Sequence, residues 1–333
     1  MRVAVLDVGS NSAHLKIVEL LPGEPPLPVR TVKSPTRLAE SIDRQGAIDG
    51  EAVDRLAEAV AESVATAHAH QVGKLIAFAT SAIRDAANRD EIVARVRAVS
   101  GLELGFLSGE DEARLTFLAA RRWNGWSAGQ LLLLDIGGGS LEIASGDGSE
   151  PQTALSVPLG AGRLTREHLP GDPPKRRHVR RLRRYVEEAL PEIIDELDDQ
   201  PSPRLAVATS KTFTQLARLT GAPKAGAGIY AERRLERRRL RKWIPRLAKL
   251  DATHRARLRG VSKSRAHQIL AGAIVAETAM RALDLDYVRI CPWALREGIL
   301  LRELDSIGGT PLIADIVVYG DGPRLRTVPD LGA

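Results

Sequence analysis

Two short stretches of the chain combine a carboxylate with a small, amide-rich turn, a pairing suited to holding phosphate. The first is Leu6-Asp7-Val8-Gly9-Ser10-Asn11-Ser12 and the second is Leu134-Asp135-Ile136-Gly137-Gly138-Gly139-Ser140. Backbone amides in such a turn can donate closely spaced hydrogen bonds to an anion, and glycine admits the ligand without a Cβ in the way. Taken singly, either turn could belong to an ordinary hairpin. As a pair, Gly9, Ser10, Asn11 and Ser12 with Gly137, Gly138, Gly139 and Ser140 read as a clamp around phosphate. Asp135 and Glu142 bracket the second turn, close enough on its two arms to share Mg²⁺ (or Mn²⁺), with phosphate and water completing the shell.

Other chemistries lack their signatures. There is no GxxxxGK[ST] loop, no GxGxxG opening a helix, no HExxH and no GxSxG elbow. The seven histidines show no metal-ligand spacing, and Cys291, the only cysteine, excludes an intrachain disulfide or a thiolate cluster. A reducing cytoplasm is the expected location. The start, Met1-Arg2-Val3-Ala4-Val5-Leu6-Asp7, meets an acid too soon for a signal-peptide core, and no apolar run approaches the roughly 20 residues that span a bilayer.

The elements that must position these turns follow from the apolar pattern. Each turn lies between two strand-like runs, Val3 to Leu6 and Leu15 to Val18 in the first copy, Leu131 to Leu134 and Leu141 to Ala144 in the second. The repeated unit is therefore strand, acid, tight turn, strand, and its recurrence suggests two related domains facing each other. Between the copies, Val53, Leu56, Val60, Val64 and Ala67 recur at helical spacing, Lys74 to Thr80 reads as a strand, and Ile92 to Val99 as a second helix. Leu102 to Leu107 predicts a strand and Glu110 to Arg122 a helix. Later come a helix over Arg176 to Leu197 interrupted at Pro191, a strand over Leu205 to Ala208, a helix over Arg265 to Leu283, a strand over Tyr287 to Cys291 and a last helix over Ala294 to Leu304. That alternation is α/β organisation. The 333 residues suffice for two domains, and 44% hydrophobic with 27% charged residues is a globular composition. The net charge of +6 is unevenly spread. Cations crowd Lys175 to Arg184 and Arg233 to Lys242, which favours an anionic partner, although solvated helix faces paired with nearby acids would look the same.

Five segments in order resemble the exopolyphosphatase / guanosine pentaphosphate phosphohydrolase (Ppx/GppA) family. They are Asp7 to Ser12, Thr80-Ser81-Ala82-Ile83-Arg84-Asp85-Ala86, Ser108-Gly109-Glu110-Asp111-Glu112-Ala113-Arg114-Leu115, Leu134 to Glu142 and Ala294-Leu295-Arg296-Glu297-Gly298. The resemblance implies an α/β, actin-like (ribonuclease H-like) duplicated two-domain fold with the active site in an interdomain cleft. Domains would span 1–126, with a returning helix at about 294–305, and 127–293, leaving a tail at 306–333. It further implies that Glu112 is the general base, that Arg84 contacts the phosphate chain, that Ser10 to Ser12 and Gly137 to Ser140 form the two phosphate loops, and that Asp135 and Glu142 hold the divalent metal. The expected activity is release of orthophosphate from inorganic polyphosphate. Alternatives are a guanosine pentaphosphate (pppGpp) 5′-phosphohydrolase, an actin-like ATPase or sugar kinase, or a protein that only binds polyphosphate or nucleic acid.

Two departures from the family pattern matter. Ala208-Thr209-Ser210-Lys211-Thr212 stands where many members carry a glycine-rich turn, and Lys211 should hinder a nucleobase and favour phosphate. Long members continue with a helical C-terminal module where this sequence stops soon after Arg296-Glu297-Gly298, so shorter polyphosphate chains are the expected substrate. The basic helices could line the approach to the site or the outer surface of a homodimer, and no membrane partner is expected.

Overall fold

The computed structural model describes residues 1–307 apart from 44, 199, 229 and 230. These residues form two compact units, Met1–Ser108 with the helix that begins at Leu295, and Gly109–Ala294.

In the first unit the apolar run after Met1 becomes β1 (Arg2–Val8), whose Val3, Ala4, Val5 and Leu6 are fully buried. It pairs antiparallel with β2 (Ser12–Glu19), which pairs with the edge strand β3 (Pro28–Pro35). On its other side β1 runs parallel to β4 (Lys74–Ala79). A parallel neighbour requires a crossover, and α1 (Gly50–Ala69) supplies it. Asp49 caps that helix by accepting from the Ala52 amide at 2.7 Å, and Ala52, Val53, Leu56 and Val60 bury its inner face. The short α2 (Ser81–Arg84), α3 (Arg89–Ser100) and a two-residue β5 (Gly105–Phe106) complete the sheet order β3-β2-β1-β4-β5. The strand expected over Leu102 to Leu107 thus shrinks to Gly105–Phe106, because Leu102 and Leu104 are used to fill the core beneath the sheet.

The second unit repeats this plan. It opens with α4 (Gly109–Asn124), then β6 (Leu131–Ile136), β7 (Leu141–Gly146) and β8 (Thr153–Val157). Helices α5 (Ala161–His168), α6 (Arg176–Ala189) and α7 (Pro191–Asp198) lead to β9 (Leu205–Ala208) and α8 (Ser210–Leu219). After β10 (Arg234–Glu236) come α9 (Arg237–Leu247), α10 (Ala252–Arg255), α11 (Ile269–Ala282) and β11 (Tyr287–Ile290). The sheet order is β10-β11-β9-β6-β7-β8. As with β1, strand β6 has its following hairpin partner antiparallel on one side and a later strand parallel on the other. The echo in the sequence is therefore a structural repeat.

Helix α4 belongs to this second unit, so the division falls at Ser108 and not near 126. Its Ala113, Phe117 and Ala120 bury against Leu131, Leu133, Ala144, Val207 and Cys291 of the second sheet. Arg121 of the same helix, fully buried, donates to the carbonyls of Gly129, Gly146 and Gly148 and so ties the ends of the β6–β7 hairpin to α4. On the other face lies α11, almost wholly apolar and buried, against which α5, α6, α8 and α9 all pack. The first half of the second basic run makes β10 before α9 begins, because Leu235 turns inward between exposed Arg234 and half-buried Glu236. The final helix, α12 (Leu295–Ile307), runs two residues past 305 and packs on β1, held by Lys16–Glu297 and Lys74–Glu303 ion pairs. The remainder of the expected tail, 308–333, lies outside the described residues.

Ser210 is the one position where the backbone at the start of α8 is forced, with φ at +69° in a non-glycine residue. The left-handed region costs such a residue roughly 1–2 kcal/mol, and glycine returns about 0.4–1 kcal/mol of that through its greater unfolded-state entropy. Ser210→Gly is expected to stabilise the protein by about 0.5–1 kcal/mol, read as a higher denaturant midpoint at unchanged slope.

Candidate active site

The second unit gathers most of the predicted residues around the turn between β6 and β7. Gly137 N donates to Ser140 O at 2.9 Å and closes the turn. Its carbonyls are then taken by the first amides of α5: Gly160 N reaches Gly139 O, Ala161 N reaches Gly137 O, and Gly162 and Arg163 both reach Gly138 O at 2.9 Å. The amides of Gly138, Gly139 and Ser140 donate to no acceptor among the described residues. Helix α5 thus occupies the acceptor side of the turn and leaves its donor side for an anion. The close packing needs glycine at 160, where a Cβ would sit 2.2 Å from the Gly139 carbonyl carbon and 2.3 Å from Ser140 N.

Asp135 and Glu142 are direct cross-strand partners, so their side chains rise from one face of the hairpin. Each is oriented by a hydroxyl: Thr209 donates to Asp135 Oδ2 at 2.5 Å, and Ser156 to Glu142 Oε1 at 3.0 Å. Thr209 is fully buried at the end of β9, where its amide also bonds Leu134 O. Two oriented carboxylates form a hard-oxygen pair that fits Mg²⁺, an ion that usually takes one or two carboxylates and keeps waters or phosphate oxygens for the rest. Among the described residues no group of three or more His, Cys, Asp or Glu forms a closed protein cage.

Glu112 lies in the first turn of α4 and is 8% exposed. That end of the helix is pressed against β8, since a Cβ on Gly109 would meet Ser156 Cβ and Oγ at 2.3 Å. Ser156 therefore links the start of α4 to Glu142. Lys211 is exposed in the first turn of α8, directly after the forced Ser210. Arg265, to which the sequence assigned no role, is half-buried beside Asp135 and donates to Thr212 Oγ1 at 3.4 Å. Burial lowers the pKa of its guanidinium, and the Asp135 charge works in the opposite direction.

The first unit repeats the turn with different neighbours. Gly9 N donates to Ser12 O at 3.1 Å, and Asn11 O accepts from the Thr36 and Arg37 amides, which stand where α5 stands in the second unit. The Ser10 and Asn11 amides have no acceptor among the described residues. The cross-strand partner of Asp7 is His14, not a second acid. Arg296 of α12 reaches Asp7 at 3.4 Å and also contacts His14 Nδ1. Burial raises the Asp7 carboxyl above its ordinary pKa, opposed by Arg296 and reinforced by Glu297. Arg84, at the end of α2, is fixed by the Leu107 carbonyl at 2.7 Å and by Asp85 at 3.2 Å. Sequence reasoning missed Thr209, Ser156, Gly160, Arg265 and the placement of Arg296. Only the Leu159-Gly160-Ala161-Gly162 spacing, a glycine pair opening a helix after a strand, offered a signal in the chain itself.

Two α/β units on one strand plan, each with an acid-and-turn hairpin at its leading strand, define an actin-like protein built for phosphate chemistry. The chain belongs to the Ppx/GppA phosphatase family, whose model matches residues 17–307. It is similar to Exopolyphosphatase 1 of Mycobacterium tuberculosis, 52% identical over 320 residues that cover 96% of this chain and 93% of the relative. A crystal structure of the Aquifex aeolicus Ppx/GppA family member superposes with a TM-score of 0.76 at 27% identity, covering 92% of this chain and 98% of that one. An exopolyphosphatase structure from Cytophaga hutchinsonii shares the fold, with a TM-score of 0.82 at 23% identity over 92% of this chain and 98% of that one.

Proposed function

We propose that the protein is an exopolyphosphatase, which hydrolyses the terminal phosphoanhydride bond of inorganic polyphosphate and releases orthophosphate. The observation that carries this reading is the Gly137–Ser140 turn, with its three glycine carbonyls taken by the start of α5, the Gly138, Gly139 and Ser140 amides left for an anion and two oriented carboxylates beside it. The named relative at 52% identity supports the same substrate class.

In this reading a water attacks the terminal phosphorus in line with the bridging oxygen. The anhydride P–O bond breaks, and the bridging oxygen leaves with the shortened chain. Glu112 orients the water and takes its proton. The Gly138, Gly139 and Ser140 amides hold non-bridging oxygens, and the Ser10 to Ser12 turn is the second phosphate loop. Arg84 contacts the phosphate chain, and Lys211 offers a charge to phosphates further along it. Arg265 sets its positive charge beside Asp135. Mg²⁺ (or Mn²⁺) held by Asp135 and Glu142 would neutralise charge on the phosphate oxygens. The cytoplasm is the proposed setting; no helix among the described residues is long and apolar enough to cross a membrane.

The test is orthophosphate release from polyphosphate, pppGpp and ATP side by side, with Mg²⁺ titrated from a chelated start. Polyphosphate should be turned over fastest, and Asp135→Asn should raise the Mg²⁺ concentration needed for half-maximal rate by about tenfold or more. Faster turnover of pppGpp would make the protein a guanosine pentaphosphate phosphohydrolase. Rates unaffected by chelation would remove the metal.

A further inference from the structure

We infer that the exposed face of α6 is a tether for the distal part of a long polyphosphate chain, separate from the turn that holds its end. Arg176, Arg177, Arg180, Arg181 and Arg184 are all exposed, and their spacing places them within one arc of the helix. The opposite face buries Leu182 and Val186 against the core around α11. The apolar side is thus spent on packing, and the helix has none left for a lipid surface. None of the five guanidiniums forms an ion pair among the described residues; Arg177 Nε only meets His178 Nε2 at 3.2 Å.

The same helix shows what structural pairing looks like when it is present. Arg183 is bonded to the buried Glu277 at 2.6 Å, and Glu187 is held by Arg281 at 2.6 Å. Those two contacts dock α6 on α11. The five outward arginines contribute nothing of that kind, and they work against the helix that carries them. Its first turn holds no acid, so Arg176 and Arg177 face the positive end of the dipole. The pairs 176–180, 177–181 and 180–184 set like charges at i,i+4, which is unfavourable. A stripe that costs local stability and has no ion-pair partner among the described residues is complementary to a flexible polyanion. This tether rests on the polyphosphate reading above, and it argues for tighter capture of long chains, opposite to the short-chain preference expected from the sequence.

The test replaces all five arginines by glutamine and, separately, by lysine. Binding of long-chain polyphosphate is measured in a Glu112→Gln background, and turnover of long-chain polyphosphate and of tripolyphosphate in the parent background. The glutamine variant should bind long chains about tenfold more weakly, with KM raised to match, while tripolyphosphate turnover stays unchanged and the thermal midpoint does not fall. The lysine variant should keep most of the affinity. Unchanged long-chain binding and KM in the glutamine variant would overturn the tether and leave the hydrolase reading standing. A parent that binds long chains through these arginines but hydrolyses neither substrate would overturn the hydrolase reading and keep the tether. Displacement by an RNA oligonucleotide at lower concentration than by polyphosphate of equal charge would reassign the face to nucleic acid and overturn the proposal.

Discussion

Replacing Glu112 by glutamine is expected to lower polyphosphate turnover by about 10²–10⁴-fold, the usual share of a general base. Glutamine matches the shape of the side chain and can still orient a water, but it cannot take the proton. Because the change is isosteric at a site 8% exposed, stability and substrate affinity should stay close to those of the parent. The effect should therefore fall on kcat with little change in KM. Measurement needs single-turnover rates and a binding isotherm on the same preparation. Turnover near that of the parent would remove Glu112 from the reaction and direct attention to Asp111 or Glu110 in the same turn of α4.

The second large effect is expected from one methyl group placed away from any reacting atom. A Cβ at residue 160 would lie 2.2–2.5 Å from three backbone atoms of Gly139 and Ser140, none of which can swing aside as a side-chain tip would. Either α5 backs away from the turn or the turn is pushed forward. Overpacking of this kind costs about 1–3 kcal/mol. Displacing the donor amides by about 1 Å would lower kcat/KM by roughly 10²-fold. Gly50→Ala is the control, since nothing lies within 4 Å of the added carbon there and the site opens α1. Gly160→Ala should lose both stability and activity, and Gly50→Ala neither. Parent-like activity in Gly160→Ala would mean that α5 does not set the position of the turn.

The chain itself determined the repeated strand, acid, turn and strand, because each copy is encoded within one short continuous segment, Val3 to Val18 or Leu131 to Ala144, by apolar runs and small residues at fixed places. The same local information placed Asp135 opposite Glu142, since a tight hairpin leaves one register. The basic runs were legible too, but not which cations are engaged: Arg183 and Arg184 are adjacent in sequence, yet one is paired with buried Glu277 and the other faces solvent. Tertiary structure alone assigned α4 to the second unit, because Phe117 reads as one more apolar helical residue until β6 and β7 lie against it. It also brought Thr209 to Asp135 across 74 residues and Arg296 to Asp7 across 289. Such pairings depend on which strand lies beside which, and neither hydrophobic period nor turn chemistry carries that information. A short segment specifies its own hairpin; the partners that orient its carboxylates come from segments it meets only after the sheet has formed.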